Sequence, residues 1–173
     1  VVLDNAIEHF HPDAIQGVLR KCRAMLKPGG HLWVLTPHRF SGPHDVSRQF
    51  LPLGSRAEGF HLREFSFTEL RQELQAAGFG EVLGFPFNPR LLRKLGWIPK
   101  ASARAARKAE AGERWCLRSR AGMRLLTANA TVGHLLVALL FPSICVARKP
   151  DGAGGLTPAA AGPGGCADPA APG

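Results

Sequence analysis

Apolar positions along the chain predict that it opens on a short strand. Val1, Val2 and Leu3 form an apolar run that Asp4 and Asn5 break, the pattern of a buried strand ending in a turn. His11-Pro12-Asp13 then starts a helix, with Asp13 positioned to accept from the first free N–H groups and Gln16 three residues on, as in a capping box. Ile15, Val18, Leu19, Cys22, Met25 and Leu26 recur at helical spacing and predict one buried stripe. The stretch "KPGG" ends this helix, since a glycine past the last turn takes up a left-handed conformation without steric cost. In "HLWVLTP" the apolar run from Leu32 to Leu35 is nearly continuous and predicts a strand covered on both faces. Strand, helix, strand makes residues 1–10 and 31–36 parallel neighbours in one sheet.

Residues 37–64 have no clean periodicity and predict a long loop, a length that in a compact domain accompanies a site or a lid. "FSFTELRQELQAAGF" predicts a helix with Ser66 and Glu69 as a capping box, Phe65 and Leu70 as a staple, and Gly78 as its close. "EVLGFPF" and "PSICVARK", residues 142–149, predict strands, and "TVGHLLVALLF" a buried helix before the second of them. Residues 88–130 read as mostly helical. From Pro150 to Gly173 the chain is mostly Gly, Ala and Pro with a single Leu, too little apolar surface to offset ordering entropy, so this tail is expected to be disordered.

A length of 173 residues suits one domain. The net charge of +9 is concentrated: residues 90–124 hold eleven Lys or Arg against two acids, which accounts for all of the excess. Such a block attracts phosphates or anionic lipid heads. The favoured expectation is a solvated helical insertion whose charges keep it off the core; the alternative is a non-catalytic anion- or nucleic-acid-binding module. Only Trp97 and Trp115 interleave with these charges, a thin basis for base stacking, so nucleic acid is not the expected partner. No apolar run suffices to cross a bilayer, which leaves a membrane-surface role as the weaker alternative and a cytoplasmic location as the expectation. Cys22, Cys116, Cys145 and Cys166 form no C-x-x-C pair and read as free thiols of a reducing compartment.

"DNAIEHFHPD", "MLKPGGHLWVLTP", the helix closed by "AAGF" and the last strand "SICVARK" together resemble the C-terminal half of a class I S-adenosylmethionine-dependent methyltransferase of the type 11 kind. The likeness spans residues 1–87 and 142–149. It implies an α/β fold: a partial Rossmann-like sheet with flanking helices that lacks the N-terminal strands. In the family, a glycine-rich turn and an acidic residue on the first two strands hold most of the cofactor, and neither is found here. The expectation is therefore a fragment: residues 1–149 as the C-terminal part of a methyltransferase domain with the basic insertion at 88–130, then the tail 150–173. Its open strand edge would meet the missing N-terminal half or a partner chain.

The resemblance implies S-adenosylmethionine as cofactor, with Asp4, Asn5 and Ala6 beside its methionine end, and a small-molecule or lipid-like methyl acceptor. The plainer reading of that turn is a polar corner capping its own backbone. His9, in "IEHF", is a weak candidate acid or base. Pro37, His38, Arg39, His44 and Asp45 leave the second strand over the site and are the candidate substrate contacts. No metal is expected, because among His9, His11, His38, His44 and His61 no two share an i, i+4 spacing and no cysteine joins them.

Overall fold

In the computed structural model, the structure describes residues 1–52, 55–85, 100–119, 124, 137 and 144–151. Residues 152–173 of the expected tail, all but Val137 of the helix over 131–141 and most of the 88–130 reading lie outside these residues. The described chain is α/β, a four-stranded mixed sheet with helices against it. In chain order the elements are β1 (Val2–Asp4), α1 (Pro12–Met25), β2 (His31–Leu35), α2 (Phe67–Ala76), β3 (Glu81–Gly84), α3 (Ala103–Arg118) and β4 (Ile144–Arg148). The strand order is β1-β2-β4-β3. β1 and β2 are parallel, with Val2 opposite Trp33 and Asp4 opposite Leu35, as the strand-helix-strand reading requires. β4 runs antiparallel between β2 and β3.

Two expectations about α1 are corrected. Its N-cap is His11, whose Nδ1 accepts from the Asp13 N–H at 3.4 Å, while Asp13 sits exposed within the first turn. Pro12 explains this: its fixed φ and missing N–H suit the first helical position, which pushes the cap back by one residue. Gln16 instead reaches α2, donating to the Glu73 carbonyl at 3.0 Å. Ile15, Leu19 and Cys22 are buried as expected, but Met25, the last helical residue, is 75% exposed. The helix stops because Leu26 is extended and Lys27-Pro28-Gly29-Gly30 forms a turn, with the Gly30 N–H on the Lys27 carbonyl at 2.9 Å and Gly29 at φ +70°.

α2 has the full capping box of Ser66 and Glu69, and Gly78 closes it at φ +89°. α1, α2 and α3 share one core with Leu32, Val34, Val82, Cys145 and Ala147 on one face of the sheet. The expectation that β2 is covered on both faces fails: Leu32 and Val34 are buried while Trp33 is 41% exposed. Burial on both faces belongs to β4: Cys145 and Ala147 join the core under the helices, while Ile144 and Val146 are covered on the opposite face in a second cluster with Phe85. β1 is likewise not buried; it is an edge strand of the described sheet, with Val2 63% exposed.

The basic helix does not stand off the core. Ala105, Ala106, Ala109, Glu113 and Cys116 of α3 are buried, while Arg104, Arg107, Lys108, Arg114 and Arg118 face outward. The alanines permit close approach to β3, where a Cβ on Gly84 would lie 3.1 Å from the Ala106 Cα. Small side chains at helical spacing hold the inner face while the charges remain in solvent on the outer one. Among the described residues no helix is long and apolar enough to cross a membrane. Cys22, Cys116 and Cys145 are free, buried thiols, and burial pushes Cys145 up to about 12.

Candidate functional site

β1 and β2 end side by side, and the chain segments leaving them build the site. Asn5 turns the corner after β1 at φ +46°, a left-handed conformation that asparagine tolerates better than most residues. Its N–H bonds the Leu35 carbonyl at 2.9 Å and its side chain donates to Asp4 at 3.0 Å. A 3₁₀ turn, Ile7–His9, follows and buries Ile7 and Glu8 while leaving His9 exposed. The Glu8 carbonyl accepts from the Leu62 N–H at 2.8 Å and the Arg63 N–H at 3.2 Å, which ties the far end of the long loop to the β1 corner.

The Glu8 side chain is fully buried. One carboxylate oxygen accepts from the Thr36 hydroxyl at 2.9 Å, and the other, Oε1, has no hydrogen-bond partner among the described residues. An orphaned buried oxygen costs about 1–3 kcal/mol and more when charged. Beside it, His9 Nδ1 lies 3.0 Å from the Phe60 carbonyl, and the His9 and His61 rings meet edge to face with centroids 4.9 Å apart.

Two acidic side chains organise the loop. Asp45 accepts from the N–H groups of Ser47, Gly59 and His61 and from the Ser47 hydroxyl. Slight desolvation would raise its carboxyl, but these bonds outweigh it and bring it from 3.8 to about 2. Glu64 accepts from His61 Nδ1 at 2.8 Å, from the His44 N–H at 2.7 Å, and from His44 Nδ1 at 3.2 Å. Burial would raise Glu64, yet the two histidines hold it below the usual carboxylate range. A third acid, Glu113 of α3, is treated likewise: burial opposes ionisation, and hydrogen bonds from His38 and Thr68 win. All three have folded-state values below their unfolded ones. Their stabilisation is complete above about pH 5 and disappears as pH falls through the depressed values. The urea midpoint should therefore stay level from about pH 7 to 5 and drop steeply toward pH 2, with a shallower acid limb in Asp45→Asn. An unchanged limb in that variant would contradict this account of Asp45.

A cleft of about 300 Å³ opens between this loop and the start of α2. Arg39, Arg56, Arg63, Glu64, Glu69 and Leu62 are among its lining. Arg39 donates to Glu69 at 2.5 Å and Arg63 to Glu73 at 2.9 Å, so both guanidinium groups are oriented from α2.

Of the candidate substrate contacts, Arg39 alone lines this cleft. His38 is buried against Glu113 at 2.8 Å, His44 and Asp45 hold the loop together, and Pro37 is half-buried at the end of β2. Asp4 and Asn5 are exposed at the β1 corner, with Ala6 half-buried after them. Glu8, Glu64 and Glu113 were not among the sequence-derived site residues. Glu113 had a legible signal, an acid on the same helical stripe as Ala105, Ala109 and Cys116. Compared with protein-family models, curated proteins and solved structures, the chain finds no match in any of the three.

Proposed function

We propose that this chain supplies the carboxyl-terminal part of a class I, Rossmann-like methyltransferase and moves a methyl group from S-adenosylmethionine to a small-molecule or lipid-like acceptor. The observation that carries the reading is the parallel pairing of β1 with β2 through α1, which brings Asp4–Ala6 and Thr36–Arg39 to one carboxyl edge of the sheet. Open α/β sheets bind ligands at that edge. Asp4 and Asn5 are polar, exposed and held in a tight left-handed corner, which fits the charged methionine end of the cofactor.

When bound, the cofactor would supply an electrophilic methyl on a sulfonium sulfur. The work left to the chain is positioning and exclusion of water. Arg39 and Arg63 orient an acceptor bearing negative charge or hydroxyl oxygens in the cleft. Asp4–Ala6 reach only one end of the cofactor, so tight binding requires an upstream glycine-rich half. Calorimetric titration of S-adenosylmethionine tests this: the chain alone should show no tight binding, and a longer protein in which a glycine-rich half is supplied ahead of Val1 should bind saturably. Absence of binding by that longer protein overturns the assignment.

A further inference from the structure

We infer that Glu8, His9 and His61 form a binding site for a divalent first-row metal ion of the zinc class. One donor atom from each lies within 4.8 Å of the others, on the inner side of the corner that links β1 to the long loop. The independent observation is Glu8 Oε1, an oxygen in a fully buried side chain that no donor satisfies among the described residues. A carboxylate in that state needs a counter-charge or a proton.

The surrounding hydrogen bonds prepare each group as a ligand. A carbonyl only accepts, so His9 Nδ1 donates to the Phe60 carbonyl at 3.0 Å and the lone pair is left on Nε2. Glu64 Oε1 already accepts the His44 N–H at 2.7 Å and lies 2.8 Å from His61 Nδ1, so Nδ1 is the donor and His61 Nε2 carries the lone pair. Carboxylate or carbonyl behind an imidazole is the usual support of a metal-bound histidine. Thr36 fixes the other oxygen of Glu8 at 2.9 Å, and Asp45 fixes the backbone N–H of His61 at 3.0 Å.

Two imidazoles and one carboxylate suit zinc, cobalt, manganese or iron(II) rather than calcium, and leave positions open for water or an acceptor oxygen. Ligands sharing one ion at about 2.1 Å lie roughly 3–3.5 Å apart. The closing movement required from 4.8 Å falls mainly to His9, the exposed member of the three.

The test is titration of metal-stripped protein with Zn²⁺ by calorimetry and with Co²⁺ by visible absorption. One saturable ion per chain is expected, weakened at least tenfold in His9→Ala and in Glu8→Gln and unchanged in His11→Ala. His9→Ala removes an exposed side chain, so a retained circular dichroism spectrum separates lost ligation from lost folding. No saturable binding by the wild-type chain, wild-type affinity in either ligand variant, or a Co²⁺–thiolate charge-transfer band overturns the site. Neither cofactor nor acceptor enters the titration, so its result is independent of the methyl-transfer reading.

Discussion

Replacing Glu113 with alanine should lower the unfolding free energy by about 3–5 kcal/mol, the range for removing one partner from a buried ionic cluster. Glu113 of α3 is 1% exposed, and its carboxylate meets the first turn of α2. It accepts from the N–H groups of Phe67 at 2.5 Å and Thr68 at 2.9 Å, from the Thr68 hydroxyl at 2.5 Å, and pairs with His38 Nε2 at 2.8 Å. Helix starts leave N–H groups without partners and concentrate positive potential. Ser66 serves the Glu69 N–H there, and Glu113 serves the two residues before it. Alanine would leave these buried donors without an acceptor. Glutamine should cost less, because one acceptor oxygen remains. Urea unfolding at about pH 7 measures both, and a loss below about 1 kcal/mol for the alanine variant would show that α3 does not cap α2 in solution.

Phe65→Ala should cost a similar amount, about 3–5 kcal/mol, through loss of transfer energy and an unfilled cavity. The ring is 1% exposed and belongs to the core shared by the three helices. It also carries the loop: its carbonyl accepts the Arg39 N–H at 3.0 Å, and the Arg63 guanidinium lies over its ring at 4.8 Å. Of the two cleft arginines, Arg63 thus rests on the aromatic side chain, while Arg39 is held by the Phe65 backbone. Phe65→Leu should retain most of the stability because it fills much of the same volume. Thermal and urea unfolding would measure both variants, and equal losses for leucine and alanine would mean that the ring's shape, rather than its volume, holds this position.

The parts of the fold legible beforehand were those governed by short-range rules. α2 is the clearest case: the serine and glutamate of its capping box and the closing glycine all lie within a few residues of the helix ends they fix. The pairing of β1 with β2 followed from chain connectivity, since a single helical crossover favours a parallel neighbour. The same rules misplaced the cap of α1, where Pro12 took the first helical position, and assigned to β2 the double burial that belongs to β4. An apolar run shows that a strand is buried but not whether its second face finds cover, as Ile144 and Val146 do and Trp33 does not.

The basic segment shows the limit most plainly. Its charge total pointed to a helix held away from the core, whereas the alanines of α3 dock on β3 and Glu113 reaches α2.

Spacing and local capping, then, determined that strands and helices alternate here and where α2 begins and ends, because those signals act across a turn or two. Tertiary structure alone decided that Glu8 and Glu64 are buried, which histidines the buried acids meet, and that Glu8 and His9 stand beside His61. Partners brought together by folding from distant points of the chain leave no periodic trace, and a loop carboxylate destined for the core is spelled like one destined for solvent.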